Sequence, residues 1–592
     1  MTLIRERGAP ARQRRPRRTR GDFRPGNPGR RLRLGLVLTL ALLMVYGGRV
    51  VQVQVLDAAD VSTSAVASRM REAVIPAQRG QILDRTGAPL AATVQAFDIV
   101  VDQTMVEDAV GAAGGIAPIV ALPRWQVRRA LTGERRFAYV ARGVTPAQWQ
   151  RVRDLGVPGV FGQPTRQRVY PAGAVAATVV GFVGTDGHGL DGLEYGLEDI
   201  LAGEDGLLIY EASAGGRRIP TGQHSERSAV AGTSVRLTLD RDIQYVAERT
   251  LARAVRNAGA DSGSLVVIDP ATGQLLALAS APTFDANAPT ASDPQSRRNR
   301  PLQEIVEPGS TSKVITLAAV LNEGLATPTT RFTVPGVLYR KGEDYRDSFE
   351  HGRLPLTLTG VLARSSNIGT IIAGERMSPE TFYSYLVRFG IGQPLGIDFP
   401  GATRGILAPV GQWNDASFPT IAFGQGVAAN AVQIASVFAT LANDGIRIQP
   451  SLILGYQPPE GGIRAPAPPA RTRVVGAEAA RTMRQMLEMA TSEQGTGSAA
   501  TVPGYRVAGK TGTSDRIDPE CGCYRGYTSS FVGMIPAEQP RAVIAVILQN
   551  PRNGYYGGQV AAPAFQAMAT YLVQAMRIPP SVTPRASLPL EW

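Results

Sequence analysis

The sequence predicts an α+β protein in which one N-terminal membrane anchor precedes two folded modules. With 592 residues, the chain is too long for a single hydrophobic core, so two or more domains are expected. One apolar stretch near the N-terminus approaches the length of a membrane span. A content of 44% hydrophobic and 19% charged residues indicates that most of the remaining chain folds. Strand-like and helix-like patterns both recur there, which favours the α+β class.

The basic charge of the protein is concentrated in its first residues. Residues 1–33 carry a net charge of +10, out of +13 for the whole chain. Residues 1–31 are also poor in apolar side chains, so they are predicted to form a disordered, cytoplasmic tail. A nucleic-acid partner is the alternative for such a tail. Beside a membrane span, topology and attraction to anionic lipids explain the arginines more simply, and no nucleic acid is predicted.

Residues 32–56 form the predicted single-pass transmembrane anchor. The uninterrupted apolar stretch 34–48 is 15 residues long, and residues 50–56 can extend it toward the ~20 residues of a spanning helix. A cleavable signal peptide is the alternative, but the basic region before it is unusually long and no clear cleavage site follows. By the positive-inside rule, the N-terminus is expected in the cytoplasm and everything after the anchor outside the cell membrane.

Residues 57–231 are predicted to form an elongated α+β module of short strands and Gly/Pro turns. Within it, residues 187–192 read GHGLDG and match the dinucleotide pattern GxGxxG. That pattern needs a surrounding βαβ unit, and no alternation of strands and helices is visible here. A dinucleotide site is therefore not predicted.

A second domain is predicted over residues 232–578, followed by a tail over residues 579–592. An amphipathic helix is expected at 240–260 and a closing helix near 563–576. Strands are expected at 235–240, 264–268, 274–279, 529–534 and 542–549. Because strands come from both ends of this domain with helices between them, we expect one antiparallel sheet whose edges are supplied from both ends.

Lysine is rare in this chain, with only three among 62 basic residues: Lys313, Lys341 and Lys510. Arginine cannot lose its proton in a protein, whereas a desolvated lysine can. A lysine three residues after a serine, as in Ser310-x-x-Lys313, is therefore a candidate base for that serine. Lys341 lies outside any motif, and no role is predicted for it.

The first motif is predicted to stand at the start of a helix. Pro308-Gly309 reads as a turn, and Ser310 then opens an apolar helical pattern. Residues three apart share a helix face, so Lys313 should lie beside the Ser310 hydroxyl. The partial positive charge of a helix N-terminus lowers the cost of an alkoxide at Ser310 and of an oxyanion formed by its attack on a carbonyl.

Two further polar motifs follow. In Ser365-Ser366-Asn367, Ser365 can relay a proton and the Asn367 amide can hold a substrate amide. In the strand-like Lys510-Thr511-Gly512-Thr513, the hydroxyls of Thr511 and Thr513 share one strand face and suit a carboxylate. In this third motif, Gly512 is expected to let a substrate backbone approach closely, and Lys510 is expected to supply a permanent positive charge. The Thr513 N–H is expected to form an oxyanion hole with the Ser310 N–H.

The remaining candidates for metal or redox chemistry are few. Cys521 and Cys523 are the only cysteines, which excludes a disulfide framework, while free thiols and a bridge across one glycine both stay open. The histidines His188, His224 and His351 are isolated in sequence, and no CxxC or HExxH occurs. No metal or cofactor is predicted.

Taken together and in this order, the three motifs resemble the S-x-x-K, S-D-N and K-T-G set of penicillin-binding proteins and class A β-lactamases, with Ser in place of the middle Asp. The chain most resembles a class B penicillin-binding protein of the division-specific type (penicillin-binding protein 3). The stretches that carry the resemblance are RGQILDR (79–85), RVYP (168–171), GLDGLE (189–194), LTLDRDIQ (237–244), EPGSTSK (307–313), SSN (365–367), AFGQG (422–426), KTGT (510–513) and GGQVAAPAF (557–565).

This resemblance implies a pedestal of the dimerisation type over residues 57–231 and a β-lactamase/transpeptidase-like domain over residues 232–578. It implies a peptidoglycan D,D-transpeptidase that acts at the septum. Ser310 would be acylated by the penultimate D-Ala of a stem peptide, and β-lactams would acylate it as mimics. Lys313 would be the base, with Ser365 as the relay. The other implied site residues are Lys510, Asn367, Thr511, Gly512 and Thr513.

The resemblance also implies partners: stem peptides with a D-Ala-D-Ala donor and an amine acceptor, a polytopic membrane glycan polymerase, and division proteins. An elongation-type transpeptidase and a protein that chiefly scaffolds the polymerase are the alternatives. A β-lactamase is disfavoured because the chain is too long and no deacylating Glu can be placed. The sequence leaves the acceptor amine open.

Overall fold

The computed structural model describes residues 28–56, 63, 67–213, 218–518 and 521–592. The disorder predicted for the basic tail falls on residues 1–27, outside the described residues, and on residues 28–31, which are helical. The chain divides into two compact units. The first comprises the chain up to Ile75 together with Gly206–Ser228. The second comprises Pro76–Asp205 and Ala229–Trp592.

The first unit contains the candidate membrane anchor. A helix spans Pro28–Val51, ahead of the expected start at residue 32, and continues as a wider helical turn over Gln52–Leu56. It buries no side chain and its mean hydropathy reaches 2.0, so its apolar surface suits lipid. The same unit holds a three-stranded antiparallel sheet of Met70–Ile75, Gly206–Glu211 and His224–Arg227.

The N-terminal part of the second unit is a small α+β lobe. Its longest strand, Pro89–Val101, pairs with Ala138–Val144 and Val160–Val169. The helices Ala109–Val120, Arg124–Leu131 and Pro146–Arg153 bury their apolar faces with these strands. Strands Ile82–Leu83, Ser234–Leu237 and Ile453–Gln457 extend the same sheet, so backbone hydrogen bonds tie this lobe to the C-terminal part of the unit.

A five-stranded antiparallel sheet organises the C-terminal part. Its strands are β1 (Ser262–Ile268), β2 (Leu275–Ala281), β3 (Ala508–Asp518), β4 (Cys523–Ile535) and β5 (Ala542–Gln549). They are ordered β2-β1-β5-β4-β3. The prediction of one antiparallel sheet with edges from both ends of the domain is confirmed, since β2 and β3 are the edge strands. The strand expected at 235–240 is not part of it, because Ser234–Leu237 pairs with Ile82–Leu83 and Ile453–Gln457 in the sheet of the N-terminal lobe. Every residue of β1 and of β5 is buried because helices cover both faces.

The two faces of the sheet belong to different cores. Leu265 and Val267 of β1 pack in the core formed with helices Arg241–Ala258 and Ala562–Ala575. Val266 and Ile268 point to the opposite face, as alternation along a strand requires. The helices of that larger core are Lys313–Asn322, Leu358–Ala363, Asn367–Gly374, Pro379–Phe389, Ser417–Ala422, Ala431–Ala442 and Ala477–Ala490. Short strand pairs at its margin are Arg331–Val334 with Leu354–Thr357, Leu338–Arg340 with Glu343–Tyr345, and Ile446–Ile448 with Arg471–Arg473.

Candidate active site

Ser310 lies in a tight turn before a helix, not within the α-helix as expected. Gly309–Thr311 form a 3₁₀ turn, and the α-helix begins at Lys313. Gly309 has a φ of +52°, a left-handed conformation that favours glycine and separates the turn from a regular helix start. Its N–H donates to the Gly424 carbonyl, so the AFGQG stretch packs directly against the serine turn.

Ser310 opens onto a cleft of about 300 Å³. Two other predicted residues, Asn367 and Thr513, line the same cleft. The remaining lining residues are Gly309, Asp344, Tyr345, Arg346, Thr420, Phe423, Gln425 and Ser514. The structure therefore brings one residue of each predicted motif to a single cavity, although the three motifs lie far apart in sequence.

The other three residues of the Lys510-Thr511-Gly512-Thr513 motif do not line this cleft, and Lys510 is described with Lys313 below. Thr511 is 7% exposed, and its hydroxyl lies 2.7 Å from the Thr496 hydroxyl. A side chain at Gly512 would meet the Ser530 hydroxyl at 2.3 Å and Thr311 at 3.0 Å. Gly512 thus allows the edge strand β3 to approach the serine turn, which is a structural reason for glycine that the sequence did not reveal.

Two fully buried lysines face the Ser365 side chain. Lys313 and Lys510 both have 0% exposure. The Lys313 Nζ donates to the Ser365 carbonyl and lies 3.2 Å from its Oγ, while the Lys510 Nζ donates to the same Oγ at 2.8 Å. Ser365 itself is held at a φ of +61°, a costly conformation for a residue with a side chain. One strained serine therefore joins both lysines.

Burial changes the proton affinity of this lysine pair. Burial lowers the pKa of Lys313 to about 7, against the opposing effect of the negative charge of Asp347. Burial and the positive charge of Lys313 lower the pKa of Lys510 well below its usual value. We expected a permanent charge on Lys510. Its burial beside a second lysine argues instead for a pair that carries fewer than two charges near neutral pH.

Asn367 is fixed at the start of its helix. The Ser366 hydroxyl accepts the Gly369 N–H at 2.8 Å and caps the helix Asn367–Gly374. The Asn367 side-chain nitrogen donates to the Arg346 carbonyl at 2.9 Å. One donor of the Asn367 amide is thus committed to the Arg346 carbonyl, and Asn367 also lines the cleft.

Sequence reasoning missed two residues behind this motif, Asp347 and His351. Their side chains are 1% and 5% exposed and lie 3.0 Å apart. Asp347 also accepts the Ile368 N–H at 3.0 Å. The two residues belong to an irregular loop, so neither helical nor strand periodicity could have linked them.

The cysteines and Lys341 lie on exposed segments of the domain. Cys521 and Cys523 form a disulfide at the start of β4, which selects one of the two alternatives that the sequence left open. The next residue, Tyr524, donates through its hydroxyl to the Glu307 side chain at 3.2 Å, close to the serine turn.

Lys341 forms an exposed pair with Asp415 at 2.8 Å and does not line the cleft. Among the described residues, no group of three or more His, Cys, Asp or Glu side chains is arranged to hold a metal.

Comparisons with known proteins match both folded modules. Residues 263–570 match the Penicillin binding protein transpeptidase domain, and residues 74–237 match the Penicillin-binding Protein dimerisation domain. Penicillin-binding protein PbpB of Mycobacterium tuberculosis is 35% identical over 98% of this chain and 91% of its own length. Peptidoglycan D,D-transpeptidase FtsI of Escherichia coli is 31% identical over 92% of this chain and 91% of its own length.

Solved structures agree with these sequence relatives. Penicillin binding protein 3 of Mycobacterium tuberculosis, complexed with ampicillin, superposes with a TM-score of 0.69 at 34% identity, over 88% of this chain and 100% of that chain. A peptidoglycan synthetase of Bifidobacterium adolescentis gives a TM-score of 0.72 at 29% identity, with the same two coverages. The similarity therefore extends over the described folded modules and not the catalytic motifs alone.

Proposed function

The chain belongs to the penicillin-binding proteins of the transpeptidase family, and from that premise we propose that it is a peptidoglycan D,D-transpeptidase of septal cell-wall synthesis, inhibited covalently by β-lactams. The observation that carries this proposal is the cleft shared by Ser310, Asn367 and Thr513, with the buried pair Lys313 and Lys510 behind it. Relatives named for this reaction or for penicillin binding cover more than nine-tenths of the chain.

The proposed reaction has two halves. The Ser310 oxygen attacks the carbonyl of the penultimate D-Ala of a stem peptide and forms an ester, the bond to the terminal D-Ala nitrogen breaks, and that amine leaves with a proton. An amine on a neighbouring strand then attacks the ester, a new peptide bond forms, and Ser310 recovers its proton. A β-lactam carbonyl takes the place of the donor in the first half, and its ring nitrogen is the leaving group.

Lys313 is the proposed base for acylation. With its pKa lowered to about 7 by burial, a substantial fraction of Lys313 is neutral at physiological pH and can accept the Ser310 proton. The Ser365 hydroxyl oxygen accepts from the Lys510 Nζ at 2.8 Å and from the Lys313 Nζ at 3.2 Å. When Lys313 is neutral, the Ser365 hydroxyl can instead donate its proton to the lone pair of Lys313. Ser365 can in this way pass a proton between the lysines and the leaving amine.

The rest of the site is proposed to bind the donor peptide. Asn367 would hold a backbone amide of the stem peptide, and Thr513 its terminal carboxylate. Thr511 contacts Lys510, whose Nζ donates to the Thr511 carbonyl at 3.0 Å. We therefore assign Thr511 an indirect effect, through the position of Lys510, and Gly512 the packing of β3 against the serine turn. The N–H groups of Ser310 and Thr513 are the proposed oxyanion hole.

The described residues contain one candidate membrane helix, which suits a protein that works on the outer face of the membrane. We propose that the helix Pro28–Val51 crosses the membrane with the N-terminus in the cytoplasm and the catalytic domain outside, because arginines cluster before it. A membrane glycan polymerase and division proteins are the proposed partners. Protease added outside intact spheroplasts should digest the catalytic domain if this topology holds.

Labelled penicillin tests the function directly. The full chain should become covalently labelled, mass spectrometry should locate the label on Ser310, and Ser310→Ala should abolish labelling. An unlabelled wild type, or a labelled Ser310→Ala chain, would refute the proposal. A Ser310→Ala chain that still supports growth would instead point to the scaffold role, and sidewall placement of a tagged chain would point to elongation.

A further inference from the structure

Residues 588–592 pair with the strand Leu354–Thr357 of the catalytic domain. Two backbone hydrogen bonds join them, from the Thr357 N–H to the Leu590 carbonyl at 2.9 Å and from the Trp592 N–H to the Pro355 carbonyl at 3.2 Å. The residues between these contacts form an antiparallel bridge. The strand already pairs with Arg331–Val334 on its other side, so residues 588–592 extend this small sheet.

Side chains hold the same segment in place. Leu590 is 7% exposed, and Leu588 packs against the larger core of the domain. The Trp592 indole donates to the Phe332 carbonyl at 3.4 Å, and the Arg331 guanidinium lies over the indole ring, 5.1 Å from its centroid. The segment is therefore bound through both its backbone and its side chains.

The helix Leu358–Ala363 begins directly against this segment. The Thr357 hydroxyl accepts the Gly360 N–H at 3.0 Å, which caps the helix, and donates to the Pro589 carbonyl at 2.6 Å. A side chain at Gly360 would meet the Leu590 carbonyl oxygen at 1.9 Å. Glycine is a poorer helix former than alanine, so its use inside this helix leaves the room that the segment occupies.

The far end of the same helix leads into the Ser365 turn. The Ser365 N–H donates to the Leu362 carbonyl at 3.1 Å, so the turn follows from the last helical residues. Its neighbour Arg364 forms an exposed ion pair with Glu591 at 3.4 Å. Ser365 has a φ of +61°, and such a conformation persists only where the surrounding structure holds it. The segment thus contacts the chain that carries Ser365 both before the helix and after it.

The residues that precede this segment contact the chain that leads into β3. The Ser581 N–H donates to the Gly504 carbonyl at 3.0 Å, and the Ser581 hydroxyl accepts the Arg506 N–H at 3.0 Å. The Arg506 guanidinium also donates to the Thr583 hydroxyl at 2.6 Å. β3 starts two residues after Arg506 and carries Lys510, whose Nζ donates to the Ser365 Oγ. The last residues of the chain therefore touch the segments that lead to both partners of this hydrogen bond.

We propose that residues 588–592 are positioning residues for the acylation reaction: they hold the helix Leu358–Ala363 so that the Ser365 hydroxyl stays between Lys313 and Lys510. This inference rests on the proposed function, in which Ser365 relays a proton. None of residues 588–592 lines the cleft. Their loss should therefore slow the acylation step without weakening the binding of penicillin.

The test removes the segment and then supplies it again. A variant that lacks residues 588–592 should be acylated by a fluorescent penicillin about 10- to 100-fold more slowly at saturating penicillin, because a misplacement of about 1 Å can cost about 100-fold. The dissociation constant for penicillin should not change. A synthetic peptide with the sequence of residues 585–592, added in excess to this variant in detergent, should restore the rate, and a scrambled peptide should not.

Gly360→Ala displaces the segment in a chain of full length. The added methyl group takes the place of the Leu590 carbonyl, so acylation should slow although alanine favours a helix. In the shortened chain the same substitution should cost nothing further, because both changes remove one contact. Gly114→Ala is the matched control: it lies in a helix of the N-terminal lobe, an added side chain there meets no atom closer than 3.8 Å, and it should be acylated like the wild type.

A segment that only stabilises the fold would give a different result. The variants would then unfold at lower temperature, yet the acylation rate at saturation would equal that of the wild type wherever they are folded; that result, or a peptide that binds without restoring the rate, would overturn the inference. If the shortened chain does not fold, the rates of Gly360→Ala and Trp592→Ala decide the question. A wild type that is not labelled at all would refute the proposed function instead.

Discussion

Two regions of the second unit bury several charged side chains, and they deal with the charge in opposite ways. In the N-terminal lobe, Arg79 and Arg168 each donate to the carboxylate of Glu194 at 2.7 Å, and Glu194 is fully buried. Arg79 also reaches Glu198 at 2.7 Å. In the catalytic domain, Lys313 and Lys510 meet around the Ser365 hydroxyl, with no carboxylate in hydrogen-bond contact among the described residues.

The two regions therefore differ in whether a buried charge is in contact with a counter-charge. A buried charge is tolerated when it is paired, and the free energy of unfolding falls sharply when one partner is removed. Burial lowers the pKa of Arg79, but the hydrogen bonds and charges of Glu198 and Glu194 outweigh it and raise the pKa. Burial without a carboxylate partner instead lowers the pKa of both lysines, and Lys313, with a pKa of about 7, loses its proton near neutral pH. A chain that otherwise uses arginine thus keeps lysine where the proton must leave.

The largest effect is expected when an arginine replaces a lysine of the catalytic pair. Lys313→Arg keeps the positive charge but removes the base, because guanidinium does not lose its proton. Labelling by penicillin should slow by on the order of 10²–10⁴-fold, the usual contribution of a general base. Stopped labelling reactions on the full chain measure this rate, and Lys341→Arg, on the exposed surface, is the matched control. An active Lys313→Arg chain would refute the assignment of the base.

The converse change removes the charge that pairs the arginines. Glu194→Gln leaves Arg79 and Arg168 buried without a full counter-charge, and the free energy of unfolding should fall by about 3–5 kcal/mol. Chemical denaturation of the full chain in detergent measures this, with the exposed Glu134→Gln in the same lobe as the control. The pH midpoint of acylation should not change. A shifted midpoint would mean that the ion pairs of Glu194 also affect the protonation of the catalytic base.

Some features of this molecule follow from the spacing of residues along the sequence. Others depend on contacts that form only in the folded chain. The strands of the central sheet and the helix Arg241–Ala258 were predictable because their apolar residues follow strand or helix spacing. The meeting of Ser310, Asn367 and Thr513 was predictable from motif order and resemblance alone. The 3₁₀ turn at Gly309–Thr311 was not, since it follows from the conformation of one glycine and its contact with Gly424.

The electrostatic properties of the site were equally hidden from the sequence. The lowered pKa of Lys510 depends on complete burial and on the nearby Lys313, which only the folded chain supplies. Asp347 and His351 lie in a loop without regular spacing. Motifs therefore locate the reacting groups, while their surroundings are found only from the packed structure.

The pH dependence of the wild type is the next prediction. Because burial lowers the pKa of Lys313 to about 7, its basic form predominates above that pH and disappears below it. The labelling rate should reach a plateau above about pH 7 and fall roughly tenfold per pH unit below it, equivalent to about 2.7 kcal/mol at pH 5. The measurement is the labelling rate across pH at constant ionic strength. A rate that keeps rising up to pH 10 would mean that neither lysine is depressed in pKa.

The smallest effect is expected at Glu198, the more exposed carboxylate that pairs with Arg79 in the N-terminal lobe. The Glu198 side chain is 26% exposed, so Glu198→Gln should lower the free energy of unfolding by only about 1 kcal/mol at neutral pH and low salt. Burial raises the pKa of Glu198, but hydrogen bonds from Arg79, Gly189 and His188 outweigh this effect and hold the pKa below its usual range. Because the pKa of Glu198 is lower in the folded chain than its unfolded value of 4.5, ionised Glu198 stabilises the folded state at any pH above 4.5. This stabilisation is lost as the pH falls through the lowered folded-state pKa. Unfolding curves of wild type and Glu198→Gln should therefore differ at pH 7 and converge in acid. A loss of stability as large as that of Glu194→Gln would show that solvent does not screen the pair of Glu198 with Arg79.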